Sequence, residues 1–133
     1  STALHAAAGE AAKPRRVLVI DDNRDAADRT QLLLATLGTE ARVAYDGGAG
    51  LAAIKAWRPD LVLLDLGMAG MDGYEVARLI RADADLAGLP VVALTGWGQH
   101  EDRRRTQEAG FDHHLVKPAD PQALQGVLDA FAR

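Results

Sequence analysis

The chain has 133 residues, of which 48% are hydrophobic and 26% charged, a composition typical of one folded domain with a single core. Its net charge of −4 argues against a general nucleic-acid binder, and the absence of cysteine excludes disulfide bonds and thiolate metal sites. The sequence contains neither an apolar run long enough to cross a membrane nor a secretory signal, so we expect a cytoplasmic protein.

Residues 1–14 are rich in alanine and carry no strand or helix pattern, so we interpret them as a tail or linker. Residues 15–133 form the predicted domain, in which short apolar segments alternate with helical ones. In chain order we predict a strand at 17–20, a helix at 24–37, a strand at 41–45, a helix from the cap Asp46 to 57, a strand at 61–64, a helix at 74–82, a strand at 91–94, a helix at 99–109, a strand at 113–116 and a last helix starting at Asp120-Pro121.

Glycine, proline and aspartate mark several of these helix boundaries. Gly38 and Gly110 follow the first and fourth helices as stop signals, and Arg58-Pro59 closes the second. Asp72 directly precedes Gly73, so we interpret it as the cap of the third helix rather than as a metal ligand.

The alternation of short apolar strands with helices predicts an α/β fold. A strand that is apolar throughout belongs to a parallel sheet covered by helices on both faces. Right-handed crossovers then give a doubly wound domain. We predict the flavodoxin-like version, with five parallel strands in the order 2-1-3-4-5. In such sheets ligands bind beyond the carboxyl ends of the strands, so the residues at these ends are the candidates for function.

Acidic, hydroxyl and amine side chains follow four of the predicted strands: Asp21-Asp22, Asp65, Thr95 and Lys117. Two like charges at roughly 4 Å repel by about 4 kcal/mol at an effective dielectric constant of about 20, so carboxylates this close need a cation. Lys117 supplies one positive charge. Mg²⁺ is the natural second, because it accepts carboxylate, water and phosphate oxygens. A carboxylate that the metal does not consume can act as a nucleophile and form an acyl phosphate.

Four segments carry a resemblance to a known family: VLVIDDN (17–23), LVLLDLGMAGMDG (61–73), VVALTG (91–96) and HLVKP (114–118). In this order they resemble the receiver domain of two-component response regulators, the family that includes the chemotaxis response regulator. The resemblance covers residues 15 to 133. It implies a phosphoacceptor switch rather than an enzyme acting on other substrates, with a histidine kinase or phosphotransfer domain as partner. The net charge and the lack of a long apolar run predict no direct contact with nucleic acid or membrane.

The resemblance also implies a Mg²⁺ site. Asp22 resembles the direct metal ligand, and Asp21 resembles a supporting residue that acts through water. Asp65 resembles the phosphoacceptor, which also contacts the metal. The backbone carbonyl of Gly67 falls where the family uses a main-chain metal ligand.

The remaining matched positions concern the phosphoryl group and the switch. Thr95 resembles the hydroxyl that bonds a phosphoryl oxygen, and Lys117 resembles the lysine that pairs with phosphate. The Lys117–Pro118 peptide is expected to be cis. His114 stands where tyrosine or phenylalanine is usual, so the aromatic half of the switch is not expected to carry over unchanged. Ala69 stands where many receivers have proline, which predicts a slightly looser turn.

The segment ALTGWGQHEDRRRTQEAGFDHHLVKP (93–118) resembles receivers fused to hybrid histidine kinases, so a parent kinase in the same polypeptide is a further candidate partner. A Mg²⁺-dependent phosphatase of the haloacid-dehalogenase type is a weaker alternative, because it needs a second aspartate where Gly67 stands. A flavin binder is disfavoured because Asp21 and Asp22 would repel its phosphate. A pseudo-receiver that works as an interaction module without phosphorylation stays open. His113 and His114 are adjacent in a strand and point to opposite faces, which excludes a shared metal ion.

Overall fold

The computed structural model describes residues 14–96 and 103–132. None of the helices in these ranges is long and apolar enough to cross a membrane. The elements in chain order are β1 (Arg16–Ile20), α1 (Arg24–Thr36), β2 (Glu40–Ala44), α2 (Gly47–Trp57), β3 (Leu61–Asp65), α3 (Gly73–Ala82), a 3-10 turn (Ala84–Leu86), β4 (Val91–Thr95), α4 (Arg103–Ala109), β5 (His113–Val116) and α5 (Pro121–Ala130).

The five strands form one parallel sheet in the order β2-β1-β3-β4-β5, which confirms the predicted fold. Ile20 pairs with Ala44 on one side and with Leu64 on the other. Asp65 pairs with Leu94 in β4. The carboxyl ends of the strands therefore lie along one edge of the sheet, where the sequence places the acidic residues.

The apolar strands are buried because helices cover both faces of the sheet. Alternate strand residues belong to two separate core clusters, as the two-residue period of a strand requires. One cluster joins Leu18, Ile20, Val62 and Leu64 to α2, α3 and Ala109 of α4. The other joins Val17, Val19, Leu61 and Leu63 to α1 and α5. All the residues of β3 and β4 are buried, which explains their continuous apolar runs.

Side-chain caps begin four of the helices. The predicted caps Asp46, Asp72 and Asp120 accept hydrogen bonds from the backbone N–H groups of the third residues that follow, at 2.7, 2.9 and 2.7 Å. These three predictions are confirmed. Asn23 caps α1 by accepting from the N–H of Ala26 at 3.0 Å. Neither Asp21 nor Asp22 is the cap of α1, so both are available to the edge of the sheet.

The observed bounds differ from the predicted ones in small ways. Asp65 and Thr95 are the last residues of their strands rather than the first residues after them, while Tyr45 lies just beyond β2. The 3-10 turn between α3 and β4 was not predicted. The fourth helix is seen from Arg103 onward, and the earlier part of its predicted span, 99–102, lies outside the described residues.

Candidate functional site

Three carboxylates meet at the carboxyl edge of the sheet. Asp21 and Asp22 follow β1, and Asp65 ends the adjacent strand β3. One carboxylate oxygen from each lies within 4.8 Å of the other two. Asp21 is 1% exposed and Asp65 6% exposed, whereas Asp22 faces solvent. Two of the three negative charges are thus held out of water and next to each other, which is unfavourable without a cation.

Lys117, at the start of the β5–α5 loop, reaches into this acidic cluster. Its Nζ lies 3.1 Å from Asp21 Oδ2 and 3.4 Å from Asp65 Oδ1. The peptide bond between Lys117 and Pro118 is cis. The structure therefore brings together all four of the charged side chains that the sequence singled out.

The electrostatics of the cluster are visible in two shifted pKa values. Burial raises the pKa of Asp65, and the neighbouring negative charge of Asp21 raises it further. The N–H of Gly67 and the ammonium of Lys117 offset only part of this shift. Burial alone would lower the pKa of Lys117, but its hydrogen bond to Asp21 and the charges of Asp65 and Asp21 outweigh burial, so the net shift is upward. Lys117 therefore stays charged, and the cluster remains short of positive charge.

Local backbone contacts fix the two buried carboxylates. Asp21 Oδ1 accepts a hydrogen bond from the N–H of Asn23 at 3.0 Å. Asp65 Oδ1 accepts from the N–H of Gly67 at 3.2 Å. These bonds within each loop hold the oxygens toward the cleft with little freedom to rotate.

Gly73 contributes to the site in a way that the sequence analysis missed. A Cβ atom at this position would overlap the carbonyl oxygen of Asp65 and lie 2.8 Å from the Cα of Leu66. The N–H of Gly73 also donates to the Leu66 carbonyl at 3.2 Å. The first residue of α3 is therefore pressed against the backbone of Asp65 and Leu66, and only glycine fits there. The sequence feature that could have indicated this close contact is the glycine directly after the cap Asp72.

Ala69 supplies a second contact that the sequence analysis missed. Its backbone N–H donates to Asp22 Oδ2 at 3.1 Å, which connects the loop after β3 to the loop after β1 across the cleft. The sequence predicted only a looser turn at this position. A main-chain donor carries no side-chain signature, so no sequence pattern indicates the bond.

The two predicted switch residues lie on neighbouring strands. Thr95 is 3% exposed, and its hydroxyl donates to the carbonyl of Leu115 at 3.3 Å. In this structure the hydroxyl therefore bonds the adjacent strand β5. His114 is half-buried on β5, opposite Ala93, and lines a cavity with Thr106 and Gln107 of α4. Its ring centre lies 5.7 Å from that of His113.

The residues of the acidic cluster fit a Mg²⁺ ion. Among the described residues, the group of three or more ligand-type side chains that converge is Asp21, Asp22 and Asp65, which offer oxygen atoms only. Carboxylate oxygens at a solvent-open edge suit a hard cation that keeps part of its water shell. Nothing lies within 4 Å of the position that a Cβ of Gly67 would take, so this part of the loop is uncrowded.

Comparison with known proteins supports the assignment that the geometry suggests. The family model for the response regulator receiver domain matches residues 17–129. The chain belongs to this family. Receiver domains are signalling domains of two-component systems, so the predicted family is confirmed.

Individual relatives are consistent with the family match. The chain is 39% identical over 119 residues to the DNA-binding response regulator MtrA of Mycolicibacterium paratuberculosis, covering 90% of this chain and 52% of that protein. It thus spans about half the length of this curated relative. Chemotaxis protein CheY4 of Vibrio cholerae has the same fold, with a TM-score of 0.82, 27% identity, and coverage of 88% of this chain and 98% of that one.

A further solved structure bears on the metal. The receiver domain of sensor histidine kinase PA1611 from Pseudomonas aeruginosa has a TM-score of 0.79 and 28% identity, with coverage of 88% of this chain and 96% of that chain. It is described with a magnesium ion coordinated in the active-site cleft. The acidic cluster of the present chain is therefore compatible with magnesium.

Proposed function

We propose that this receiver domain is a phosphoacceptor switch, in which Asp65 takes a phosphoryl group from a histidine-kinase phosphohistidine in a Mg²⁺-dependent reaction. The observation that carries the proposal is the position of the buried Asp65 carboxylate, 3.4 Å from the ammonium of Lys117 and within 4.8 Å of two further carboxylates. An anionic nucleophile, a fixed cation and a set of metal ligands are the parts that phosphoryl transfer needs.

In the transfer step an oxygen of the Asp65 carboxylate attacks the phosphorus atom in line with the bond to the donor histidine nitrogen. The P–N bond breaks as the new P–O bond forms, and its electron pair returns to the imidazole ring. The product is an aspartyl phosphate, an acyl phosphate that water later hydrolyses back to the carboxylate and inorganic phosphate. Catalysis of this step depends mainly on the positions of the reacting groups and on neutralising their charge, so these are what the protein contributes.

The remaining residues have separate roles in this proposal. Lys117 pairs with the phosphoryl oxygens, and the Thr95 hydroxyl exchanges the Leu115 carbonyl for one of those oxygens. Asp22, Asp65 and the carbonyl of Gly67 would hold Mg²⁺, with Asp21 supporting it through water. The bound ion would neutralise negative charge on the carboxylates and on the phosphoryl group.

The surroundings of Lys117 support access by a protein donor. A groove lined by Lys117 and Pro118 is also lined by the α1 cap Asn23 and by Ala26 and Thr30 of α1. We therefore propose a histidine kinase or phosphotransfer domain as the partner, with a parent hybrid kinase in the same polypeptide as one form of it. We propose that residues 15–133 form this domain and that its output is protein contact or phosphoryl relay, without direct contact to nucleic acid.

Intact mass spectrometry after incubation with acetyl phosphate and Mg²⁺ tests the proposal. We expect the wild-type chain to gain the mass of one phosphoryl group, and Asp65→Asn to gain none. Asp72→Asn is the matched control, because Asp72 caps α3 outside the acidic cluster and asparagine caps equally well. It should be modified like the wild type. Absence of any mass gain in the wild type would favour the non-phosphorylated interaction module.

A further inference from the structure

Among the described contacts, the main-chain N–H of Ala69 is the only group from the loop after β3 that hydrogen-bonds Asp22. Its hydrogen bond to Asp22 Oδ2 measures 3.1 Å and joins residues 47 positions apart in the sequence. We propose that this N–H is a positioning group that presets the Asp22 carboxylate for a divalent cation. The inference rests on the proposed function, since it concerns the same metal site.

Such a group is useful here because Asp22 is exposed, and the receivers with proline at this position have no N–H there to supply it. Asp21 and Asp65 are buried and held by N–H groups within their own loops, whereas the Asp22 side chain faces solvent. An exposed carboxylate samples several rotamers, and ordering it on metal binding costs conformational entropy. A charge-assisted bond to Oδ2 removes part of that freedom beforehand and leaves Oδ1 available to a cation.

The loop that carries the donor is itself fixed. Its N–H groups at positions 67 and 69 bond Asp65 Oδ1 and Asp22 Oδ2, so one short segment sets both carboxylates. Met68, between them, is buried in the core cluster that contains α2 and α3. Gly70, which follows, has a φ of +75°, a conformation that glycine adopts at little cost. The donor is therefore anchored to the core rather than carried by a free loop.

The identity of residue 69 then matters through its backbone and not through its side chain. The side chain of Ala69 is exposed. Any residue except proline would supply the same donor, because proline alone lacks a backbone N–H. Replacement of the N–H should weaken cation binding in the way that loss of a hydrogen bond to a ligating carboxylate does, by roughly 10- to 100-fold.

Isothermal titration calorimetry with MgCl₂ on the purified domain tests this inference. We expect Ala69→Pro to weaken Mg²⁺ binding by about tenfold or more, and Ala69→Ser, which keeps the N–H, to stay within about twofold of the wild type. Because proline also constrains φ, a second variant replaces Ala69 with its α-hydroxy acid analogue, which turns the amide into an ester without the ring. Equal Mg²⁺ affinity in the ester variant and the wild type would overturn the inference.

Hydrogen exchange in the metal-free protein gives an independent readout. We expect slow exchange of the residue 69 N–H in the wild type and at least about tenfold faster exchange in Asp22→Ala, since its acceptor is gone. Unchanged exchange would also overturn the inference. These outcomes are separable from failure of the proposed function: a wild type that binds no Mg²⁺ contradicts both, whereas a wild type that binds Mg²⁺ and is phosphorylated while residue 69 is indifferent contradicts only the inference.

Discussion

The ammonium nitrogen of Lys117 is closer to Asp21, at 3.1 Å, than to Asp65, at 3.4 Å. One cation is thus divided between two buried carboxylates, and it cannot fully offset either charge. A phosphoryl group on Asp65 would bring further negative charge within reach of the same ammonium. Competition between Asp21 and the phosphoryl oxygens for Lys117 is therefore built into the geometry.

Replacement of Lys117 by methionine should slow phosphorylation of Asp65 without abolishing the acidic cluster. We expect the rate with acetyl phosphate and saturating Mg²⁺ to fall by roughly 10²-fold, because a fixed charge that stabilises the transferring group is lost. The rate is measured by intact mass over time. Lys55→Met, at an exposed position on α2, is the matched control and should react like the wild type. A Lys117→Met rate equal to that of the control would show that the ammonium contributes nothing to transfer.

The raised pKa of Asp65 predicts that this residue destabilises the metal-free fold at neutral pH. A carboxyl whose pKa is higher in the folded than in the unfolded protein stabilises the fold while protonated, and this contribution is lost as pH rises through the raised pKa. In EDTA, Asp65→Asn should therefore have a larger free energy of unfolding than the wild type above that pKa. The difference should vanish below the ordinary value of 3.8. Urea denaturation at a series of pH values measures it.

Magnesium provides the control for the pH prediction. A ligand that binds only the folded state stabilises it, so added Mg²⁺ should raise the stability of the wild type at neutral pH. It should raise the stability of Asp65→Asn much less, because a proposed metal ligand has been neutralised. If the asparagine variant is no more stable than the wild type in EDTA at neutral pH, burial of the charge is not costly and the explanation given for the pKa shift is wrong.

The sequence predicted most of the fold because a doubly wound sheet leaves strong marks. Buried strands such as 61–64 and 91–94 are apolar throughout, and several helices begin at recognisable caps. The same topology placed the ends of neighbouring strands at one edge, so the convergence of Asp21, Asp22, Asp65 and Lys117 was predictable before any coordinates. Charged residues directly after apolar strands are out of keeping with their surroundings, which is what made them recognisable in the sequence.

Contacts made by main-chain atoms could not be predicted from the sequence. The Ala69 N–H that bonds Asp22 exists for every residue type except proline, so alanine gives no positive signal. The hydroxyl of Thr95 donates to the backbone carbonyl of Leu115, and a backbone acceptor cannot be recognised from a residue pattern. The closeness of Gly73 to the Asp65 carbonyl had only an indirect signal, the glycine after the cap Asp72, which does not say what that glycine contacts.

Substitution of Gly73 by alanine should damage the fold at the site. Its Cβ would meet backbone atoms of Asp65 and Leu66, which cannot yield as a side chain does, so we expect a loss of about 1–3 kcal/mol in the free energy of unfolding. Gly126→Ala is the matched control, since Gly126 lies in α5 with nothing within 4 Å of its Cβ position. That change should stabilise the protein by about 0.5–1 kcal/mol. Urea denaturation measures the free energy of unfolding of both variants. If the two substitutions change it equally and in the same direction, the steric clash expected at residue 73 is refuted.

Arg81 on α3 is predicted to stabilise the fold at the amino edge of the sheet, away from the acidic cluster. Its guanidinium donates to the carbonyls of Gly110 and Leu89 at 2.8 and 2.7 Å and to Asp112 Oδ2 at 2.8 Å. Asp112 Oδ2 also accepts from the N–H of Val91 at 2.8 Å. Arg81 thus ties the end of α4 and the starts of β4 and β5 to α3.

Arg81→Met keeps the aliphatic stem and removes these bonds, so we expect the free energy of unfolding to fall by about 2 kcal/mol or more. Arg78→Met, one turn earlier on the same helix and exposed, should change it by less than about 0.5 kcal/mol. Because the lost bonds lie at the opposite edge from Asp65, the folded Arg81→Met protein should take up phosphoryl from acetyl phosphate at the wild-type rate. A slower transfer in a variant that chemical denaturation shows to be folded would mean that the two edges of the sheet are coupled, contrary to the separation argued from the contacts.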